Sequence, residues 1–214
     1  MPIFRYKSKI GYFSHIPKCG GSSIEDYAYD NGMELGLIDR VYRSRDINTK
    51  WNMTSPQHVD GASVAKMFSP SFFEIYFAVV RHPIKRLESA FKHQKFFARY
   101  VETGDSLSDF VKKELQENAM MIGYCDNHFL PQTRFIIPNC TYKLFKLEAG
   151  LGKVKSYIDS EFFGQTQELQ MTHSNKGKAK QFIQSVDLTL DAEAKEIVME
   201  IYQKDFEKFG YSVG

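Results

Sequence analysis

Apolar positions along the chain alternate between strand-like runs and helical stripes. Ile10-Gly-Tyr-Phe13 is a short aromatic and aliphatic run that reads as a buried strand. Ile24, Tyr27 and Ala28 follow at i, i+3, i+4 and predict a helix. Asp30-Asn-Gly32 ends it with turn chemistry. Val64, Met67 and Phe68 give a second, short helical stripe within Ala62 to Phe68, stopped at Pro70. Phe72-Phe-Glu-Ile-Tyr-Phe-Ala-Val-Val80 is almost wholly apolar and predicts a strand covered on both faces, as in a parallel sheet. Pro83 suits the first turn of the next helix. Its packed stripe is Ile84, Leu87 and Phe91, with Lys85, Ser89 and Lys92 on another face.

Ser106-Leu-Ser-Asp-Phe110 opens a helical middle third, and Tyr142-Lys-Leu-Phe145 predicts a third strand. Leu147 to Ile158 reads as a helix weakened by Gly150 and Gly152, and Asp191 to Phe209 as an amphipathic helix carrying Ile197, Ile201 and Phe206. Residues 33 to 57 read as irregular. Strands alternating with helices predict an α/β fold, a mostly parallel central sheet flanked by helices. The length of 214 residues suits one domain spanning 1–214.

The densest chemistry lies between the first strand and the first helix, in Ser14-His-Ile-Pro-Lys-Cys-Gly-Gly-Ser-Ser-Ile-Glu25. A glycine loop opening a helix directs backbone N–H groups and the positive end of the helix dipole at one spot. Gly20 and Gly21 permit close approach, and Lys18 adds a full charge. Ser22 with Glu25 fits a capping box, and Ser23 is the alternative cap. The natural occupant is a phosphate or sulfate; the competing reading is an ordinary turn with a surface lysine. The loop is not G-x-x-x-x-G-K-[ST], because Lys18 precedes both glycines. The buried strand ends at Arg81, whose guanidinium offers a phosphate a bidentate fork, with Ser89 on the following helix. A magnesium-nucleotide enzyme would want an acidic residue at such a strand end. Two cationic strand ends instead predict a ligand with two anionic groups, and no metal is expected.

Net charge is +2, so no global basic field marks a nucleic-acid binder, and none is expected as a partner. Arg40, Arg43 and Arg45 form a local basic patch, either a solvated loop or a surface for acidic groups. Thr172 to Lys180 is a basic loop. The three cysteines, Cys19, Cys125 and Cys140, fit no zinc spacing and suit a reduced chain. A Cys125–Cys140 disulfide stays open if the protein is exported. The N-terminus is too polar for a signal peptide and no run spans a membrane, so a cytoplasmic location is expected.

Ile16-Pro-Lys-Cys-Gly-Gly-Ser-Ser-Ile24 resembles the 5′-phosphosulfate loop of sulfotransferases. Ala78-Val-Val-Arg-His-Pro-Ile-Lys-Arg-Leu-Glu-Ser-Ala-Phe91 resembles their 3′-phosphate element, V-x-R-x-P-x-x-R-x-x-S. Gln57-His-Val59, His128-Phe-Leu-Pro-Gln132, Lys143-Leu-Phe-Lys-Leu-Glu148 and Asp205-Phe-Glu-Lys-Phe-Gly-Tyr211 resemble further segments of the carbohydrate sulfotransferases of the heparan sulfate 2-O and chondroitin types. Many of those carry a Golgi anchor that is not visible here. The likeness is therefore to a short bacterial or phage form, or to a Golgi-lumen domain if this is a piece of a longer protein.

The resemblance implies a P-loop-like nucleotide-binding fold, the donor 3′-phosphoadenosine 5′-phosphosulfate (PAPS), the product PAP, and a carbohydrate hydroxyl as acceptor. It places Lys18, Cys19, Gly20, Gly21, Ser22 and Ser23 on the phosphosulfate, and Arg81 and Ser89 on the 3′-phosphate. Lys176 and Lys178 would belong to a loop closing over the adenosine. His58 is the candidate general base, since an imidazole suits that role near neutral pH. His128 is the rival base or an acceptor contact; Gln132 and Arg134 are further acceptor contacts, and His15 reads as structural. Two other readings stay open: a binding module of the same fold without turnover, and a divergent P-loop kinase.

Overall fold

The computed structural model describes residues 2–98, 100–101, 106–172 and 186–212, and of Arg43 the backbone alone. Five strands form one sheet: β1 Ile3–Tyr6, β2 Lys9–Ser14, β3 Glu34–Gly36, β4 Ile75–Val80 and β5 Lys143–Lys146. Their order is β3-β1-β2-β4-β5. β2, β4 and β5 run parallel, with Ser14 opposite Ala78 and Val80 opposite Lys146. β1 pairs antiparallel with both β2 and β3, so the sheet is mixed rather than mostly parallel. A hairpin turn at Lys7, φ +55°, reverses the chain between β1 and β2. The parallel half is the half that sequence patterning marks. β1 and β3 escape it because they are short, and β1 buries only Phe4 fully.

Helix α1 (Gly21–Asp30) follows β2, and α2 (Gly61–Met67) precedes β4. Helix α3 (Pro83–His93) follows β4, with Pro83 in its first turn. Leu107–Phe110 (α4) runs through a wide turn, Val111–Leu115, into Gln116–Asn118 (α5). Helix α6 is Gly152–Ile158, starting later than the apolar stripe suggests because Gly150 sits at φ +79°. Helix α7 is Ala192–Phe209, capped by the Asp191 carboxylate on the Ala194 N–H at 2.8 Å.

Phe77, Ala78 and Val79 of β4 are inaccessible to solvent. Phe4, Phe13 and Phe77 pack with residues of α1 and α6 in one core, while Tyr12, Val59, Val64 and Phe73 form a smaller one beneath α2. A third core joins α3, α4 and α7 through Leu87, Phe91, Phe110, Val198 and Tyr202. Cys125 belongs to this helical core and Cys140 packs on the α2 core, so no bridge joins them. Among the described residues no helix is long and apolar enough to cross a membrane.

Helix α2 docks so tightly that a β-carbon on Gly61 would lie 2.6 Å from the Ile136 carbonyl. Gly61→Ala should overpack that contact by about 1–3 kcal/mol and lower Tm by roughly 2–10 °C. Gly152→Ala, with nothing within 4 Å of the added carbon, should leave Tm unchanged or slightly raised. Thermal unfolding followed by circular dichroism checks both. Equal melting of Gly61→Ala and wild type would show that α2 is not packed on Ile136.

Candidate active site

The loop between β2 and α1 turns through two left-handed residues, Lys18 (φ +69°) and Gly20 (φ +86°). Gly20 is the N-cap of α1 and no side chain caps this helix, so neither serine cap forms. The glutamate of the expected capping box has another partner: Glu25 binds His15 Nδ1 in a buried pair. Burial pushes the His15 imidazole down, towards its neutral form. Burial works against the Glu25 charge, but the His15 ring holds that carboxyl below its usual value. A β-carbon on Gly21 would meet His15 Nε2 at 2.2 Å, so the His15 ring lies directly against the start of α1.

Two of the loop's N–H groups turn inward. Cys19 N donates to Ile16 O at 3.3 Å and Ser23 N to Gly20 O at 3.2 Å. The first-turn N–H groups of Gly21 and Ser22 have no acceptor inside the helix. The Cys19 side chain is buried, its sulfur 3.5 Å from Gln132 Oε1, and burial pushes the thiol up to about 12. Cys19 therefore anchors the loop from beneath.

Arg81 leaves β4 beside this loop and donates from Nη1 to Lys18 O at 3.3 Å. Gln132 holds it there: Arg81 N donates to Gln132 Oε1 at 2.9 Å, and Gln132 Nε2 donates to Arg81 O at 2.8 Å. Gln132 is inaccessible to solvent, which removes it from the acceptor contacts expected of it. Arg134 is exposed. Ser89 lies on the α3 face shared with Arg86 and His93 and is half-buried. Lys176 and Lys178 lie outside the described residues.

His58 closes a short turn, Pro56–His58. Its Nδ1 is 2.8 Å from Asp126 Oδ2 and 3.1 Å from Ser55 Oγ. Asp126 also accepts from Ser55 N at 2.6 Å and Ser55 Oγ at 3.0 Å. Burial opposes its charge, but His58, His128 and the Ser55 N–H hold the carboxyl well below the usual carboxylate range. A carboxylate on Nδ1 fixes the proton there and leaves the lone pair on Nε2. The His58 ring lies 5.0 Å from the His15 ring and 5.0 Å from the His128 ring, both edge-on. His93 stacks on the far side of His128 at 5.0 Å. Burial, then the charges of His58, His93 and Lys18, push the His128 imidazole well down. Its Nδ1 donates to Cys125 O at 2.9 Å.

Thus Lys18, Gly21, Arg81, His58 and His128 converge on the ends of β2 and β4. Sequence reading misses Asp126, which lies in a run that looks like any polar turn. It also misses the His15–Glu25 pair, whose glutamate fits a cap equally well. Of the arginine patch, Arg40 and Arg45 have acidic partners within the chain. Arg40 pairs with Asp26, and Arg45 Nε pairs with Asp39 Oδ2 at 2.5 Å. Arg40, Arg45 and Asp39 line a groove of about 550 Å³ together with Leu37, Val41, Trp51 and Pro56. A smaller cavity of about 120 Å³ reaches Asp126 and is lined by Tyr42, Lys50, Met53 and Tyr100.

Comparison with curated proteins and with solved structures gives no match. A family profile described as "Sulfotransferase family" matches residues 6–212. That span takes in both cationic strand ends and the histidine cluster, and the chain belongs to the sulfotransferase family, transferring sulfuryl groups.

Proposed function

We propose that the chain moves a sulfuryl group from PAPS to a hydroxyl of a carbohydrate acceptor, in line, with His58 as general base. One observation carries this reading. The His58–Asp126 pair stands one imidazole away from the anion loop, because His15 touches both His58 and Gly21. A base and an anion cradle at that separation suit a transfer between a bound phosphosulfate and a hydroxyl.

The residues present fit PAPS. Left-handed Gly20 and the crowded Gly21 leave no room for side chains in the cradle, and α1 directs its first N–H groups there. Arg81 and Ser89 would hold the 3′-phosphate, and Lys18 with the N–H groups of Gly21 and Ser22 the phosphosulfate. When bound, PAPS supplies the sulfuryl group and a phosphate leaving group. Lys18 and those N–H groups then meet the charge that grows on the leaving oxygen, usually the largest catalytic contribution. His58 Nε2 takes the acceptor's proton, and Asp126 steadies the imidazolium that results. The cavity beside Asp126 suits one sugar ring, with Tyr42 and Tyr100 as apolar walls and Lys50 as its cation. Incubation with labelled PAPS and a panel of glycans tests the overall reaction.

His58→Ala should cut the transfer rate by at least about a hundredfold, the low end for general-base help, and leave the PAP dissociation constant unchanged by calorimetry. Asp126→Asn should give a comparable loss, since the amide no longer fixes the Nδ1 tautomer. The acid limb of the wild-type rate profile should vanish in His58→Ala and persist in His128→Ala. The reverse pattern would make His128 the base.

Arg81→Ala should weaken PAP binding about 10- to 100-fold, as expected for a charged hydrogen bond worth roughly 1.5–3 kcal/mol. Lys18→Ala should lower turnover more than PAP affinity, because its work lies at the transfer step. Unchanged turnover in Lys18→Ala would refute the loop assignment.

A further inference from the structure

We infer that His58, Asp126 and His128 also form a capture site for a first-row transition ion such as Zn²⁺, and that a bound ion silences the base. One ligand atom from each of the three lies within 4.8 Å of the other two. A tetrahedral site with bonds near 2.0 Å sets its ligand atoms about 3.3 Å apart. His58 Nδ1 and Asp126 Oδ2, at 2.8 Å, need to spread slightly, and the third ligand, within 4.8 Å, needs to close by at most about 1.5 Å. Two imidazoles and one carboxylate suit zinc, copper or nickel better than magnesium or calcium.

The surroundings are those that orient metal ligands. His128 donates Nδ1–H to Cys125 O, which leaves the lone pair on Nε2. Asp126 is aimed by two bonds from Ser55, one from the backbone N–H and one from the hydroxyl. The carboxylate is anionic, so two neutral ligands and one negative one would meet the ion. Coordination through His58 Nδ1 requires its proton to move to Nε2. The atom that should accept the acceptor's proton would then carry an N–H instead. Binding of the ion is independent of the proposed reaction, whereas inhibition rests on His58 being its base.

The experiment uses untagged full-length protein and two readouts. Zn²⁺ affinity is measured by competition with a chromophoric chelator, and Co²⁺ binding by its visible absorption. One ion should bind per chain. Asp126→Asn and His128→Gln should each weaken binding at least about tenfold. Ser55→Ala keeps all three ligands and should weaken it by about tenfold through lost orientation. His82→Gln, remote from the cluster, should bind as wild type. Each variant's fold is checked by circular dichroism and thermal unfolding, and a variant that does not fold is replaced by His128→Cys, which keeps a zinc ligand and should retain the ion. Turnover should fall in step with Zn²⁺ occupancy and return with chelator. Binding that is not one-to-one, or that ignores Asp126 and His128 but responds to His82, would overturn the site and leave the base assignment untouched. Cluster-dependent binding with unchanged turnover would overturn the inhibition and place the error in the base assignment.

Discussion

The arrangement at the strand ends depends on one requirement: the backbone of residues 128–133, taken out of water in an irregular stretch that ends at the start of the short 3₁₀ turn Gln132–Phe135, must still find hydrogen-bond partners. A buried carbonyl or N–H left without one costs about 1–3 kcal/mol. Arg86, only 1% exposed, meets two of them, donating to His128 O at 3.0 Å and Leu130 O at 2.7 Å. Tyr202 donates to Phe129 O at 2.7 Å. Asp205 accepts from Gln132 N at 2.7 Å and Thr133 N at 2.9 Å. Side chains of α3 and α7 thus replace the ladder that this segment lacks. The segment in turn fixes the site, because Gln132 reaches from it to both backbone groups of Arg81 and to the Cys19 sulfur. One buried amide joins Arg81 to the underside of the β2–α1 loop.

The same segment begins with a strained approach. Cys125, Asp126 and Asn127 all have positive φ, near +47°, +58° and +58°. Left-handed backbone costs roughly 1–2 kcal/mol per non-glycine residue, less for Asp and Asn, whose side chains bond locally. Asn127 offsets part of this by donating to His58 O at 2.8 Å and accepting from Gly123 N at 2.8 Å. The outcome is that the Asp126 carboxylate is set against the imidazole of His58, 68 positions earlier in the chain. Strain there is localised at the contact that fixes the tautomer of the proposed base, His58.

Sequence alone reveals the parts whose chemistry is carried by residue type and local spacing. Lys18 with two glycines before a helix, Arg81 after a fully apolar strand, and the helices at α3 and α7 are of this kind. The parts it hides depend on partners distant in sequence. Nothing near Asp126 says that it faces His58, and nothing near Glu25 says that it prefers His15 over the helix start. Arg40 and Arg45 look available because their partners Asp26 and Asp39 are recognised only once the loop is folded. β1 and β3 are hidden for another reason: a three- or four-residue antiparallel strand with at most one fully buried side chain carries too little alternation to register.

The pairing of Arg40 and Arg45 also bears on what acceptor recognition would rely on in the proposed reaction. An exposed ion pair adds little to stability, but it removes the net charge that would draw an acidic polymer from a distance. The loop instead shows solvent Val41, Ile47, Trp51 and Met53. Recognition at such a surface is short-ranged, by ring faces and apolar contact. Among the described residues, Lys50 is the cation lining the cavity at Asp126, and its amine lies 5.2 Å from the Tyr42 ring. Lys18 and Arg81 bring positive charge together instead at the ends of β2 and β4. In the proposed reaction, charge would fix where the donor's two anionic groups sit, while shape beside Asp126 would decide which hydroxyl reaches His58.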